Sequence, residues 1–215
     1  MKKSRVIVIG SSAGGVIALK ELVASLPADF EVPIFIVQHI APQVHSYLPE
    51  ILSHAGHLKA KHPADGEQIR NGHIYIAPPD HHMLIEDDHI LVKKGPKENR
   101  FRPSVDALFR SAAYTYKNGV IGVILTGMLD DGTSGMWAIN QLKGTTIVQD
   151  PLDAMYQSMP QNVLEHVNVD YIVPLAYIAE LLTGLTVIEI EEMPIEEDKN
   201  KELMKMEIDI AAQQN

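Results

Sequence analysis

The start of the chain is an apolar run that ends in small residues and continues as a helical pattern. Residues 6–9 read Val-Ile-Val-Ile, and Gly10-Ser11-Ser12-Ala13-Gly14-Gly15 follows directly. A β-branched run of this kind is typical of a strand buried on both faces, and residues 16–22 carry apolar side chains at helical spacing. A serine hydroxyl therefore lies where a strand turns into a helix. Both dinucleotide sites and serine nucleophiles use such a corner.

Strands and helices alternate through most of the chain. We predict buried strands near residues 6–9, 33–37, 120–125, 145–148 and 171–173, and helices near residues 14–25, 44–54, 104–116, 133–142 and 174–183. Such alternation favours a mostly parallel sheet. Within residues 62–100, short strands at 73–77, 83–85 and 90–92 are separated by turns and indicate a small antiparallel insertion. The predicted fold class is α/β, a three-layer, doubly wound, mostly parallel sheet with helices on both faces.

Composition excludes several classes of function. The chain of 215 residues is 46% hydrophobic but has no apolar run long enough to cross a bilayer, and we expect a soluble, cytoplasmic protein without a signal peptide. It contains no cysteine, which excludes disulfides, thiol catalysis and cysteine-ligated metals. The net charge of −10 disfavours binding to nucleic acid or to anionic membranes. The histidine pairs His81–His82 and His54–His57 have no evident third ligand, so we predict no metal and no cofactor.

The C-terminal segment, residues 186–215, is more acidic than the rest of the chain. It holds nine acidic and three basic side chains and so contributes −6 to the net charge. Its second half is rich in helix formers, with an apolar stripe at Leu203, Met206 and Ile210. We interpret it as an acidic tail or linker, part of it a short surface helix, that follows a domain of residues 1–185.

The corner at residues 10–15 fits a serine nucleophile better than a dinucleotide site. A dinucleotide fingerprint requires a second glycine where this chain has Ser12, and an acid at the end of the next strand where it has Gln38 and His39. The segment Gly10 to Gly14 instead fits the glycine-x-serine-x-glycine pattern of a nucleophile elbow. The helix start at Ala13 also offers backbone N–H groups that can hold an oxyanion. A simple helix cap at Ser11 or Ser12 is the alternative interpretation.

Polar residues also follow two further strands. His39 comes after the second predicted strand, and Asp130 and Asp131 lie in the loop after the strand at 120–125. Because the carboxyl ends of parallel strands meet at one edge of a sheet, we expect these groups close to Ser12. His39 would then act as the base for Ser12, with one of the two acids orienting its ring. This chain order differs from the serine, acid, histidine order of α/β-hydrolases.

Six ordered blocks of sequence carry a resemblance that spans about residues 4–185. The blocks are IGSSAGG, VQHI, GHIYIAPPDHHM, NRFRPSVDALF, GVILTGMLDDGTSGM and QSMP. Together they closely resemble the catalytic domain of the bacterial chemotaxis protein-glutamate methylesterases, the CheB family. The resemblance implies hydrolysis of glutamate γ-methyl esters on chemoreceptors and deamidation of receptor glutamines. It also implies Ser12 as nucleophile, His39 as base and Asp131 as acid, with the backbone N–H of Met128 beside that of Ala13 at the oxyanion.

The same resemblance implies that the partners are the methylated cytoplasmic domains of chemoreceptors. Typical members carry an N-terminal receiver domain, whereas this chain has only a few residues before its first strand, so we expect different regulation, a stand-alone enzyme or an excised module. Arg102 is the candidate for a charge near the cleft, with either a structural or a receptor-facing role. Two other classes remain as alternatives: a nucleotide-binding Rossmann-like protein and a non-catalytic scaffold of the same fold.

Overall fold

The computed structural model describes residues 5–190 and 199–213, and its strands form two sheets. The strands are β1 (Val6–Ser11), β2 (Ile34–Gln38), β3 (Lys59–Lys61), β4 (Glu67–Gln68), β5 (His73–Ile76), β6 (His82–Glu86), β7 (His89–Lys93), β8 (Val120–Ile124), β9 (Thr145–Gln149) and β10 (Tyr171–Val173). Seven of them form a parallel sheet in the order β10-β9-β8-β1-β2-β5-β3. The winding direction reverses beside β1, and crevices in α/β sheets form at the carboxyl ends of strands at such a reversal.

Helices cover both faces of this parallel sheet. They are α1 (Gly15–Ala24), α2 (Leu48–Ala55), α3 (Val105–Tyr116), α4 (Thr133–Gln141), α5 (Ser158–His166), α6 (Leu175–Thr186) and α7 (Lys199–Ala211), with a 3₁₀ turn at Lys117–Gly119. Side chains of α1, α2 and α6 pack on one face, and those of α3, α4 and α5 pack on the other. The predicted fold class is therefore confirmed. No helix in the described ranges is both long and apolar enough to span a bilayer.

The central strand explains why the chain opens on an unbroken apolar run. Val6 and Val8 of β1 point into the core under α3 and α4, while Ile7 and Ile9 point into the core under α1 and α6. All four side chains are at most 1% exposed. Burying each side chain contributes about 1.5–3 kcal/mol to folding. If only one face of the sheet were covered, half of the run would stay exposed and would not contribute. This burial fixes where the strand ends and where Ser12 begins the corner.

The segment between β2 and α3 departs from the prediction in two ways. The antiparallel insertion is present as a three-stranded sheet in the order β4-β7-β6. The strand predicted at 73–77 as part of that insertion was wrongly placed, because β5 pairs in parallel with β2 through Ile34 opposite Ile74. Neither β3 nor β4 was predicted, and later in the chain the helix α5 was not predicted either.

The C-terminal segment is helical over α7, and this helix packs along α3. The side chains of the apolar stripe at Leu203, Met206 and Ile210 are 56%, 62% and 49% exposed. The buried side chains are Met204, Ile208 and Ala211, displaced by one or two positions around the helix. Part of the predicted tail, residues 191–198, lies outside the described residues, and the division of the chain at residue 185 stays a prediction.

Candidate active site

The first strand ends one residue before the predicted nucleophile. After Ser11, the last residue of β1, Ser12 begins a corner that leads through Gly14 into α1. Gly14 has a φ of 76°, a left-handed backbone that glycine adopts without strain. A Cβ on Gly15 would lie 2.1 Å from Oε1 of Gln38, so a larger residue would collide there. Glycine at these two positions lets the corner lie directly against the end of β2.

The two neighbouring serines have different surroundings. Ser11 is fully buried, and its Oγ donates to Oε1 of Gln38 at 2.8 Å. Gln38 in turn donates its Nε2 to the carbonyl of Ser12 at 2.8 Å, which holds the corner in place. Neither serine caps α1, since the residue at the N-cap is Gly14 and no side chain makes a cap hydrogen bond. The helix-cap interpretation was therefore wrong, and Ser12 directs its hydroxyl at His39.

His39 follows β2 and lies between the serine and an acid. Its Nδ1 is 3.1 Å from Oγ of Ser12, and its Nε2 is 2.6 Å from Oδ2 of Asp131. With the ring proton on Nε2, that nitrogen donates to the carboxylate and Nδ1 accepts the hydroxyl proton of Ser12. The three side chains thus form one chain of hydrogen bonds that can remove the serine proton during attack on a carbonyl carbon.

The two adjacent acids of the loop after β8 differ sharply in burial. Asp130 is exposed, whereas Asp131 is fully buried. The carboxylate of Asp131 accepts hydrogen bonds from Oγ of Ser104 at 2.8 Å and from the first two backbone N–H groups of α3 at 2.8 and 3.1 Å. Burial acts to raise the pKa of Asp131, but the hydrogen bond and charge of His39, together with the α3 amides, outweigh it and lower this pKa. Asp131 therefore stays charged opposite the histidine.

A second buried carboxylate, Asp106, lies next to Asp131. Its Oδ1 accepts the backbone N–H groups of Gly132 at 2.9 Å and of Gly135 at 2.7 Å, which joins the loop carrying Asp131 to α3. Desolvation, followed by the charge of Asp131, raises the pKa of Asp106 well above its ordinary value. The pKa values of Asp106 and Asp131 therefore shift in opposite directions. Asp131, whose pKa is lowered, is the acid that contacts His39.

The loop after β8 lies close to the serine, and it carries Met128, one of the two residues predicted at an oxyanion site. The loop after β8 approaches closely, since a Cβ on Gly127 would lie 3.0 Å from Cβ of Ser12. The Thr126 carbonyl accepts the N–H of Ser12 at 3.1 Å, and Oγ1 of Thr126 donates to the carbonyl of Ala13 at 3.1 Å. Among the residues that the structure describes, no hydrogen bond engages the N–H of Ala13 or Met128. Their role at an oxyanion stays a prediction.

Arg102 is engaged within the protein. Its Nε and Nη2 donate to Oδ1 of Asp80 at 2.9 and 2.7 Å, and its Nη1 donates to the carbonyl of Gly95. The side chain is 15% exposed. Hydrogen bonds from Lys94 and then from Arg102 hold the pKa of Asp80 down at about 2. Of the two roles predicted for Arg102, this geometry favours the structural one, and a receptor contact stays untested.

Several residues that support the site were not assigned to it from the sequence. The ring of Phe101 stacks on His39 with centroids 3.7 Å apart and planes 6° from parallel. Ser104 follows in the same loop, and its N–H donates to Nδ1 of the buried His82 at 3.3 Å. His82 itself donates from Nε2 to the Pro96 carbonyl at 2.8 Å, so it joins two parts of one loop. The only signal for these residues was their position within the blocks that carry the family resemblance.

Comparison with known proteins places the chain in a family. The model of the CheB methylesterase family matches residues 7–182. A relative from Leptospira interrogans is 42% identical over 180 residues, which cover 83% of this chain and 93% of that protein. The protein-glutamate methylesterase/protein-glutamine glutaminase of Thermotoga maritima is 37% identical over 185 residues, and the match covers 84% of this chain but 54% of that protein.

Structural comparison agrees with the sequence comparison. The crystal structure of the Thermotoga maritima CheB methylesterase catalytic domain matches with a TM-score of 0.80 and 36% identity. The match covers 85% of this chain and 98% of that one. The chain thus spans about half the length of the full Thermotoga relative but nearly all of its catalytic domain. With family model, sequence and fold in agreement over the same region, this chain belongs to the CheB methylesterase family.

Proposed function

We propose that this protein is a protein-glutamate methylesterase that hydrolyses γ-methyl esters on the cytoplasmic domains of chemoreceptors and also deamidates receptor glutamines. The hydrogen-bond chain from Ser12 through His39 to Asp131 is the observation that carries the proposal. Relatives from Thermotoga maritima and Rhizobium johnstonii are named for both activities. The two reactions share one chemistry, since a nucleophile attacks a side-chain carbonyl and expels methanol or ammonia.

In the first half-reaction, Ser12 attacks the side-chain carbonyl carbon of the methylated glutamate. Nδ1 of His39 takes the hydroxyl proton, and the buried Asp131 stabilises the imidazolium through Nε2–H. The negative oxygen of the tetrahedral intermediate is stabilised by backbone N–H groups, for which Ala13 and Met128 are the candidates. When the intermediate collapses, the C–O bond to the methoxy group breaks and the proton on Nδ1 goes to the departing methanol.

In the second half-reaction, water repeats the attack on the acyl-enzyme. His39 accepts a proton from the water at Nδ1, and the bond between the acyl carbon and Oγ of Ser12 then breaks while that proton returns to Oγ. The glutamate side chain leaves as a carboxylic acid, which loses its remaining proton to solvent. The same residues serve both steps, so a defect in any of them lowers both. In the deamidation reaction ammonia leaves in place of methanol, and the acyl-enzyme and its hydrolysis are unchanged.

The alternative of a dinucleotide site has no support at the corner. The end of β2 presents Gln38 and His39 rather than an acid, and Gln38 crowds the position beside Gly15. A non-catalytic scaffold would not need the buried charge of Asp131 opposite a histidine. Both alternatives predict that changing Ser12 has no effect on ester hydrolysis.

The direct test measures methanol release from methyl-labelled chemoreceptor. Ser12→Ala is expected to lower the rate by about 10³-fold or more, because it removes the nucleophile. Ser134→Ala changes an exposed serine of the neighbouring helix α4 and should retain the wild-type rate. Circular dichroism of each variant checks the fold. A Ser12→Ala variant with normal methanol release would refute the proposal.

A further inference from the structure

One face of the His39 ring is covered by an aromatic side chain. Phe101 lies 3.7 Å away, centroid to centroid, with the planes nearly parallel, and the His39 side chain is only 7% exposed. The two ring nitrogens are directed at Ser12 and Asp131. Hydrogen bonds at both nitrogens orient the ring within its plane, and the stacked phenyl restricts tilting out of that plane. Phe101 is thus placed to hold the imidazole in one orientation.

The turn that carries Phe101 has an unfavourable backbone conformation. Glu98 and Phe101 exchange two backbone hydrogen bonds, at 3.1 and 2.8 Å, across a two-residue turn. The residues within the turn, Asn99 and Arg100, have φ values of 47° and 72°. Two successive left-handed residues are typical of a type I′ turn, and a residue such as arginine adopts this backbone at a cost of about 1 kcal/mol or more. Contacts outside the turn must therefore stabilise it.

An ion-pair cluster supplies such contacts. The carboxylate of Glu98 accepts a short hydrogen bond from Nη2 of Arg110, a side chain of α3 that is 3% exposed. On its other side, Nε of Arg110 lies 3.1 Å from Oε2 of Glu207 on α7, without hydrogen-bond geometry. The contact with Glu207 is therefore electrostatic. A buried guanidinium is stable only with partners, and here one partner comes from the turn and the other from α7.

Helix α7 also touches the same loop directly. A Cβ on Gly95 would lie 2.2 Å from the carbonyl oxygen of Ala211, so the loop backbone and the end of α7 are in close contact. Beside this contact, Glu98 and Arg110 share the lining of a cavity of about 200 Å³ with Glu207 and Ala211. Helix α7 lies beyond residue 182, where the match to the family model ends.

We propose that Phe101 is a positioning residue for His39, and that α7 sets its place through Glu207, Arg110 and Glu98. The consequence for catalysis rests on the proposed esterase function, whereas the ring placement does not. The orientation of the base then depends on a helix outside the family-matched region. Loosening α7 should lower the rate of the chemical step and leave substrate binding unchanged.

The first test compares Phe101→Leu with Phe101→Tyr in the full chain labelled at histidine. A stacked phenyl shields the ring protons of His39, so Phe101→Leu should move their NMR resonances downfield, and Phe101→Tyr should leave them near the wild-type positions. Misplacement of the base should also lower kcat about tenfold with KM unchanged in Phe101→Leu, while Phe101→Tyr retains the wild-type rate. Wild-type resonances of His39 in Phe101→Leu would overturn the proposal.

The second test follows the connection to α7. Arg110→Met removes both ion pairs, and Glu207→Gln removes only the contact from α7. Both should move the His39 resonances in the direction seen for Phe101→Leu, with kcat lowered about two- to fivefold in Glu207→Gln. Glu202→Gln, an exposed change on the same helix, should do neither.

The outcomes separate this inference from the proposed function. Resonances of Glu207→Gln that coincide with those of Glu202→Gln would disprove the connection to α7. An inactive wild-type protein whose His39 resonances still respond to both tests would refute the esterase proposal and uphold the placement of the ring. An active wild-type protein whose His39 resonances do not change in either test would support the esterase proposal and refute the placement of the ring.

Discussion

The carboxyl edge of the parallel sheet and the segment from Gly95 to Asp106 contribute differently to the same site. The strand ends carry the reacting groups, with Ser12 after β1, His39 after β2 and Asp131 in the loop after β8. The segment between β7 and α3 carries groups that surround them: Phe101 on the imidazole, and Ser104 with two α3 amides on the carboxylate. The buried strands therefore position the reacting side chains. The loop and the start of α3 orient the ring of His39 and stabilise the charge of Asp131.

This difference reflects how each region is stabilised. β1 and β2 are buried along their whole length, so the positions just after them are fixed by the core. The loop from Gly95 to Arg102 depends on ion pairs, single hydrogen bonds and the neighbouring α7. Changes at the strand ends should therefore remove activity, and changes in the loop should lower it by smaller factors.

The largest effect should separate the two adjacent acids of the loop after β8. Asp131→Asn is expected to lower kcat for methyl-ester hydrolysis by about 10³-fold, since a neutral amide cannot stabilise the imidazolium of His39. Asp130→Asn changes an exposed side chain and should stay within about twofold of wild type. Steady-state methanol release measures both. Equal losses, or a larger loss in Asp130→Asn, would contradict the assignment of the acid.

A smaller effect should come from the hydroxyl that binds the acid. Ser104→Ala removes one hydrogen bond to the buried Asp131 and is expected to lower kcat by about five- to tenfold, the equivalent of roughly 1–1.4 kcal/mol. Ser111→Ala is the matched control, because Ser111 is a buried serine of α3, the helix that follows Ser104, but bonds only to backbone groups of Ile85 and Leu108. It should lose stability yet retain kcat. A comparable loss of kcat in both variants would show that packing of α3, not the contact with Asp131, is responsible.

The pair of buried carboxylates makes a prediction about pH. Because the folded-state pKa of Asp106 is raised, the folded protein binds more protons than the unfolded chain between the two pKa values, so the unfolding free energy falls as pH rises through that window. Asp131 has a lowered pKa and acts oppositely, since its stabilising contribution is lost as pH falls through its folded-state pKa. Asp106→Asn keeps an oxygen that can accept from the same two N–H groups. Its unfolding free energy should therefore fall less steeply with rising pH than that of the wild type.

Urea denaturation of wild type and Asp106→Asn across pH 5 to 8 measures this slope. The variant should become more stable relative to wild type as the pH rises. Parallel curves for the two proteins would mean that Asp106 is already ionised in the folded state at pH 5, which would contradict a raised pKa.

The smallest effect should come from the ion pair at the edge of the loop. Arg102→Met and Asp80→Asn are each expected to cost about 1 kcal/mol or less, because both side chains are partly exposed, at 15% and 21%. The loss of stability in the double variant should not exceed the sum of the two single losses. KM for the receptor should be unchanged in all three variants. A raised KM in Arg102→Met alone would instead support the receptor-facing role of Arg102.

Elements whose burial depends on neighbouring residues could be predicted from the sequence, and those that depend on distant contacts could not. Buried strands leave a local signature, so the positions of Ser12 and His39 at strand ends followed from runs of apolar residues. Residues 73–77 read equally well as a strand of either sheet, and only the pairing of Ile34 with Ile74 decided between them. Helix α5 carries Pro160 in its first turn and several polar residues, and its apolar face is defined by packing against α4 and β9.

The choice between Asp130 and Asp131 needed more than strand position. The acids are adjacent and follow the same strand, and only packing of the loop against α3 buries one and exposes the other. From the residues alone both stayed open, and the family resemblance pointed to Asp131. The catalytic roles of Ser12, His39 and Asp131 stay predictions until the variants are measured.

The layered α/β architecture and the strand ends where polar residues meet can be deduced from the sequence, because the pattern of burial follows from neighbouring residues. Packing between distant elements selects the acid that faces His39, the group that covers its ring and the side of α7 that is buried. Phe101 and His39 are far apart in the chain, and no local pattern records that their rings stack. Such contacts depend on how whole elements pack, and that packing is set by the sum of many distant faces.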